Sequence, residues 1–408
     1  MMMTAGLTAI VAIAAFPGAV RASTLTYDAG TRVLTLTGTD ADNIVFADHP
    51  EGDTARMRIV DVGEELTASG APECTPDDIS FYFVCPTPAK LVLQLNGGAD
   101  AFSDETTGGG QLTGVPIEAH GGAGADEIDG GEGPDALYGG ADADTLLGGA
   151  GADALDGGDG ADTLHGGTGD DDLAGALGHD RLTGGLGNDA VRGGDGDDEL
   201  DYSPEYVMDG SDLFEGGPGF DAVGYFGRTA PVTVVLDGQA QDGQSGENDN
   251  VAADIEAVDG GDAADVLIGS PGPDGLAGRG GNDQISGDGG DDDILGDSGN
   301  DTLSGDDGAD SLDGGCHDDD ITGGPGVDSL NSDGTCESPD LRGANDVLRA
   351  RDGVRDALVL CTMSGPAGDT AIVDPDDPAL PAGNAGACRT IDAGSATGGT
   401  GTTTDPTT

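Results

Sequence analysis

Large aliphatic residues recur every nine positions along two long stretches of the chain. In the first stretch this aliphatic column consists of Ile128, Leu137, Leu146, Leu155, Leu164, Leu173, Leu182, Val191 and Leu200. In the second it consists of Leu267, Leu276, Ile285, Ile294, Leu303, Leu312, Ile321 and Leu330. Side chains of a strand alternate between its two faces, so each aliphatic residue marks the inward position of a short strand. A fixed short period predicts a solenoid rather than a conventional globular core.

Glycine and aspartate hold fixed positions relative to this column, in the repeat G-G-x-G-x-D-x-U-x, where U is the aliphatic residue. Nine repeats form the first array, residues 121–201, with position-six aspartates Asp126, Asp135, Asp144, Asp153, Asp162, Asp171, Asp180, Asp189 and Asp198. Eight repeats form the second array, residues 260–331, with Asp265, Asp274, Asp283, Asp292, Asp301, Asp310, Asp319 and Asp328. One isolated repeat between the arrays adds Asp221.

This spacing suits calcium. Glycine at positions one, two and four permits positive backbone dihedrals and lets carbonyl groups crowd inward. The aspartate adds a carboxylate, which completes the oxygen shell that Ca²⁺ prefers. Two repeats make one turn of a flattened coil, so equivalent loops lie eighteen residues apart in sequence and about 4.8 Å apart along the axis. Pairing each loop with the next on its side predicts about thirteen calcium sites at most.

The repeats resemble the RTX, or haemolysin-type calcium-binding, repeat family over the two arrays, with weaker likeness across residues 202–259. The resemblance implies a parallel β-roll that folds on binding calcium, with the position-six aspartates and loop carbonyls as ligands. Several loops depart from the pattern, and we expect them to bind calcium more weakly or through one half-site. The substitutions are Asp142, Ala263 and His317 at position four, and Ala176, Ser270, Arg279, Asp288, Asp297 and Asp306 at position two.

The predicted fold class is therefore all-β, with two parallel β-roll arrays and a small β-strand N-terminal cap. Short alternating segments predict strands in the cap, and the glycine- and threonine-rich tail is predicted to be disordered. The predicted segments outside the arrays are a signal peptide (1–22), the cap (23–120), a β linker with one isolated repeat (202–259), a disulfide-containing C-terminal cap (332–391) and the tail (392–408).

Composition and charge narrow the function. With 78 glycines, 3% aromatic residues and no tryptophan in 408 residues, the chain lacks the large side chains of an ordinary core. A formal net charge of −65 excludes nucleic acid and anionic membrane surfaces as partners. Thirteen calcium ions would leave a net charge of roughly −39, so the protein would stay soluble. No stretch after the leader approaches the length of a membrane span.

The N-terminus and the cysteines predict an extracellular protein. Residues 5–20 are apolar, and Val20-Arg21-Ala22 fits signal-peptidase cleavage, although no Lys or Arg precedes the apolar run. Six cysteines fit disulfides in an oxidising compartment. They allow fifteen pairings. The favoured pairs are Cys74 with Cys85, Cys316 with Cys336, and Cys361 with Cys388.

Three functions remain open at this stage. The first is a secreted, non-enzymatic calcium-binding protein, unfolded at low calcium and folded after export. The second is an adhesin or carbohydrate-binding protein, in which residues 23–120 bind a cell-surface or glycan partner and the arrays form a calcium-rigidified stalk. The third is a hydrolase with its site outside the arrays. Catalytic signals are weak, because Gly296-Asp297-Ser298-Gly299 lies in phase inside a repeat and no H-E-x-x-H motif occurs.

Overall fold

A computed structural model describes residues 114–201 and 210–332 without a break, residues 88–103 and 346–350, and short segments within 24–86 and 358–391. Every regular element in these residues is a β-strand, which confirms the all-β prediction. The predicted signal peptide and tail lie outside the described residues, as do Cys74, Cys336, Cys361 and Cys388.

The strands follow the repeat in short, evenly spaced units. Those before the first array and at its start are β1 (Thr24–Asp28), β2 (Val33–Thr37), β3 (Ile44–Asp48), β4 (Arg56–Asp61), β5 (Thr67–Ala68), β6 (Thr75–Pro76), β7 (Phe83–Pro86), β8 (Lys90–Gln94), β9 (Ala101–Ser103) and β10 (Ile117–Ala123). The first array continues with β11 (Glu127–Asp129), β12 (Ala136–Ala141), β13 (Thr145–Ala150), β14 (Ala154–Asp159), β15 (Thr163–Thr168), β16 (Asp172–Leu177), β17 (Arg181–Leu186), β18 (Ala190–Asp195) and β19 (Glu199–Leu200).

The linker, residues 202–259, contains β20 (Leu213–Glu215), β21 (Ala222–Gly224), β22 (Val232–Val235), β23 (Gly243–Gln244), β24 (Asn250–Val251) and β25 (Ala257–Asp259). The second array contains β26 (Val266–Ile268), β27 (Gly275–Ala277), β28 (Gln284–Ser286), β29 (Asp293–Leu295), β30 (Thr302–Ser304), β31 (Ser311–Asp313), β32 (Asp320–Thr322) and β33 (Ser329–Asn331). The last described strands are β34 (Val347–Ala350), β35 (Leu358–Leu360), β36 (Thr370–Val373) and β37 (Thr390–Ile391).

Within the arrays each strand pairs in parallel with the strand two repeats later. Leu137 pairs with Leu155, and Leu146 pairs with Leu164, so the register is eighteen residues. Alternate repeats therefore build two separate sheets, and two repeats complete one turn. The aliphatic column points between the sheets, and its members are at most 2% exposed. This arrangement is the predicted parallel β-roll.

One face of the roll, here called the continuous face, passes through the linker without interruption. Its strands pair successively from β9 through β11, β13, β15, β17, β19, β21, β25, β27, β29, β31 and β33 to β35. Across the linker, Leu200 pairs with Val223, Val223 with Val258, and Val258 with Leu276. The two arrays therefore share one sheet and one aliphatic column.

The opposite face, here called the split face, consists of two sheets. The first runs from β10 through the even-numbered strands to β20 and ends at β24, where Phe214 pairs with Val251. The second begins with the antiparallel pair β23 and β22, continues where Val234 of β22 pairs with Leu267, and runs on to β36 and β37. The split therefore lies within the linker.

The described strands before residue 114 extend both faces of the roll. On the split face, β2 pairs with β8 and β8 with β10, which places Leu36 beside Leu93 and Leu93 beside Ala119. On the continuous face, β9 pairs with β11, and Phe102 lies beside Ile128. The first array thus begins on strands that are already paired.

Candidate calcium-binding loops

The position-six aspartates line the two edges of the roll, where each loop joins one sheet to the other. All eighteen predicted residues are buried, with exposures of 0–4%. Within each array, the backbone N–H of one aspartate donates to Oδ1 of the aspartate eighteen residues later, at 2.7–3.1 Å. The structure therefore brings the predicted residues together as two carboxylate ladders.

The second carboxylate oxygen, Oδ2, has a different environment. It is buried and accepts no hydrogen bond in Asp126, Asp144, Asp153, Asp162, Asp171, Asp180, Asp198, Asp221, Asp283, Asp292, Asp301 and Asp310. Burying a charged oxygen without a partner costs several kcal/mol by general estimates, so native proteins rarely leave such atoms unsatisfied.

These Oδ2 atoms border a cradle that contains other acceptors. A Cβ atom placed on Gly139 would lie 2.4 Å from Asp144 Oδ2 and 2.6 Å from the carbonyl oxygen of Gly157. One placed on Gly166 would lie 2.5 Å from Asp171 Oδ2 and 2.6 Å from the carbonyl oxygen of Gly184. Position one is therefore glycine because a side chain would fill the space between these oxygens. A space bordered by a carboxylate and a carbonyl suits a hard cation.

Side chains alone do not form a metal cluster. Among the described residues, no group of three or more His, Cys, Asp and Glu side chains is arranged to hold an ion. An ion in these loops would draw on backbone carbonyls as well as carboxylates, which is an ordinary mixture for calcium.

Burial makes the ladder carboxylates hard to ionise. It raises the pKa of Asp144 from 3.8 to about 7, and the charges of Asp126 and Asp162 raise this pKa further. Burial likewise raises the pKa of Asp283 and Asp301 to about 7. The N–H donors of the ladder oppose these shifts but do not cancel them. Without a cation, some of the ladder aspartates are therefore protonated near neutral pH.

A comparison with protein families decides the assignment. The model of the RTX calcium-binding nonapeptide repeat matches residues 120–155, 147–182, 175–203, 259–294 and 295–330. The chain carries RTX repeats in both arrays. Its repeats imply a calcium-binding protein of the RTX type, with calcium ions as its ligands. No curated protein matches the chain. No helix in the described residues is long and apolar enough to cross a bilayer.

Most of the substituted RTX loops keep the glycine conformation. Positive φ angles between 63° and 91° persist at Asp142, Ala176, Arg279, Asp288, Asp297, Asp306 and His317. A non-glycine residue is uncommon in this region of backbone space, and Ala and Arg gain least from local hydrogen bonds there. Stacking against neighbouring turns therefore imposes the loop shape where the sequence opposes it.

Two loops at the start of the second array differ in their hydrogen bonds. The N–H of Ser270 donates to Asp274 Oδ2 at 2.6 Å, and the Ser270 hydroxyl donates to Oδ1 at 3.1 Å. The N–H of Gly261 donates to Asp265 Oδ2 at 2.7 Å. In these two RTX loops, protein donors already satisfy the oxygen that is left bare elsewhere.

The ladders also include acidic residues that the repeat pattern does not identify. The N–H of Asp100 donates to Asp126, and that of Asp189 donates to Asp212. Three further acidic residues accept in the same way. The N–H of Asp212 donates to Asp249, that of Asp319 donates to Asp346, and that of Asp221 donates to Glu256. Each of these residues precedes an aliphatic or aromatic residue by two positions, as in Asp212-Leu213-Phe214. That triplet, without its glycines, is the signal that would have found them.

A second, outer ladder runs along position five. The N–H of Asn188 donates to Asp170 Oδ1 at 3.0 Å, and the N–H of Ser211 donates to Asn188 Oδ1 at 3.1 Å. In the second array, the N–H of Asn300 donates to Asn282 Oδ1 at 2.8 Å. Position five carried no prediction. Asp or Asn at this position in successive turns would have indicated the ladder.

Proposed function

We propose that this RTX-repeat protein is secreted and completes its folding when calcium binds in the extracellular medium. The observation that carries the proposal is the row of buried Oδ2 atoms that accept no hydrogen bond. Without a metal ion, each of these oxygens is either charged and without a hydrogen-bond donor or protonated. Either condition lowers the stability of the folded state at neutral pH. A divalent cation would offset both the burial of each carboxylate and the repulsion between neighbours.

The residues that would hold calcium are the eighteen position-six aspartates, together with loop carbonyls. Calcium supplies the positive charge that these buried groups lack. Loops with a bare Oδ2, such as those of Asp144 and Asp292, fit the ion best. The loops of Asp265 and Asp274 fit less well, because their carboxylates are already bound by protein donors.

Because calcium binding and folding are linked, the folded fraction of the chain should depend on the calcium concentration of the compartment. An ion that binds the folded state stabilises it by mass action. Affinities of extracellular modules, on the order of 10⁻⁴ to 10⁻³ M, would leave the chain unfolded at low cytosolic calcium and folded outside. The described cysteines, Cys85 and Cys316, are buried and neither is a free thiol, which supports an oxidising compartment.

We also propose a structural rather than an enzymatic role. The serine of the protease-like motif, Ser298, lies in a loop of the roll and forms bridges to Gly280 and Cys316. The turn pairing therefore accounts for this residue without a catalytic assignment.

Circular dichroism of the full chain, metal-free and after addition of calcium, tests the proposal. We expect strand signal to appear with calcium and to be lost with chelator, while magnesium at the same concentration has little effect because it demands a tighter octahedral shell. Isothermal titration of the same sample gives the number of ions. Equal strand content in chelator and calcium would refute calcium-dependent folding.

A further inference from the structure

Both carboxylate ladders are interrupted where the two arrays meet. On one edge, the N–H of Asp221 donates to Glu256 at 2.9 Å, but the N–H of Glu256 turns back to the carbonyl oxygen of Asp221 at 3.0 Å. On the other edge, the first ladder ends at Asp249, and the second starts where the N–H of Val232 donates to Asp265 at 2.9 Å. In the described structure, neither ladder therefore links the arrays through successive carboxylates.

Asp242 spans the gap on the split face. Its side chain is 2% exposed. Oδ1 accepts the N–H of Val235, and Oδ2 accepts the N–H of Val251, both at 2.9 Å. Val235 belongs to β22, which pairs with β26 of the second array, whereas Val251 belongs to β24, which pairs with β20 beside the first array. One carboxylate thus joins β24, the last strand of the first sheet, to β22, the first strand of the second sheet that pairs in parallel with the array.

This joint differs in kind from the RTX loops. Each oxygen of Asp242 has an N–H donor, so the joint forms without a cation. Its surroundings are likewise closed by protein groups, because the Tyr225 hydroxyl donates to Asp249 at 3.3 Å and Arg228 donates to Glu247 at 2.6 Å. Arg228 is itself 8% exposed, so this ion pair is largely shielded from solvent. The linker therefore supplies a metal-independent connection between two metal-dependent arrays.

We propose that Asp242 couples the calcium-driven folding of the two arrays, so that they fold as one unit. This inference rests on the proposed function, namely that calcium drives folding. Once the first array orders β20, β24 pairs with it and holds Asp242 in place. Asp242 then presents Oδ1 to β22, and β22 is the strand on which β26 begins the second array. The continuous face alone links only one side of the roll.

Hydrogen–deuterium exchange of the full chain during a calcium chloride titration tests the coupling. Peptides from residues 121–201 and 260–331 report the two arrays separately. In the wild type we expect one calcium midpoint for both sets. In Asp242→Asn, the amide keeps one acceptor and turns a donor toward the second N–H, so we expect the two midpoints to separate by at least about fivefold. At saturating calcium both arrays should still become protected.

Asp237→Asn is the matched control, since Asp237 is an exposed residue of the same linker whose carboxylate accepts the nearby N–H of Gln239 and repels Asp242 without bonding to it. It should behave as the wild type. Two separate midpoints in the wild type, a common shift of both arrays in Asp242→Asn, or loss of protection in both arrays at every calcium concentration would overturn the coupling. An absence of any calcium-dependent protection in the wild type would instead refute the proposed function.

Discussion

The backbone N–H of Asp144 donates to Oδ1 of Asp162 at 2.7 Å, whereas Oδ2 of Asp162 is buried and accepts no hydrogen bond. The two oxygens of one carboxylate thus have different tasks. Oδ1 accepts the hydrogen bond that connects one turn of the roll to the next, and Oδ2 is available to bind a cation. Because this relationship repeats along both edges, the stacking of the RTX turns and the binding of calcium depend on the same side chains.

Replacing one ladder carboxylate should have opposite effects with and without calcium. In calcium, Asp162→Asn should lower the free energy of unfolding by about 1–3 kcal/mol, because a charged ligand is lost. In chelator, the same variant should be no less stable than the wild type, because it removes a buried charge. Denaturant unfolding in both conditions measures this. The exposed Asp195→Asn in the same array is the control and should change neither value.

The metal-free roll should be most stable in acid. Burial raises the pKa of Asp144, Asp221, Asp283 and Asp301 from 3.8 to about 7, so the folded state binds more protons than the unfolded state between these values. Stability is then present below about pH 4 and is lost as the pH rises toward 7. Circular dichroism in chelator should show more strand near pH 4.5 than near pH 7.5.

Calcium binding should release protons for the same reason, and the released heat should vary with the ionisation enthalpy of the buffer. Strand content in chelator that rises with pH would contradict the proposed linkage.

Two aspartates on the same edge should differ as calcium ligands. Asp292 has a bare Oδ2, whereas Ser270 occupies both oxygens of Asp274. We expect Asp292→Asn to reduce the calcium stoichiometry and Asp274→Asn to leave it nearly unchanged in isothermal titration. Equal losses in the two variants would show that the Ser270 contacts give way when calcium binds.

The aliphatic column should carry much of the stability of the folded roll. Leu164 is fully buried, so Leu164→Ala should cost about 2–5 kcal/mol in calcium. Leu177 is the last residue of strand β16 in the same array and is 49% exposed, so Leu177→Ala should cost less than about 0.5 kcal/mol. Thermal unfolding in excess calcium compares the two, and similar losses would argue against a closed core between the sheets.

Prediction from sequence worked best where the chain repeats itself. The eighteen-residue register and the inward aliphatic column both agree with the structure. It worked less well at the substituted loops, where Ala176 and Arg279 keep a positive φ although their side chains disfavour it. There the stacked neighbours impose the conformation, and a single repeat does not contain that information.

The sequence by itself determined the coil, its core and its loops, because the nine-residue period states the same local geometry seventeen times. Only the tertiary structure decided how the arrays meet. Asp212, Asp249, Glu256 and Asp346 join the ladders across segments of irregular length, and Asp242 closes the split face. An acidic residue joins the ladder only if the strand that follows it pairs with the preceding turn. After an irregular segment, that pairing depends on contacts between residues distant in sequence.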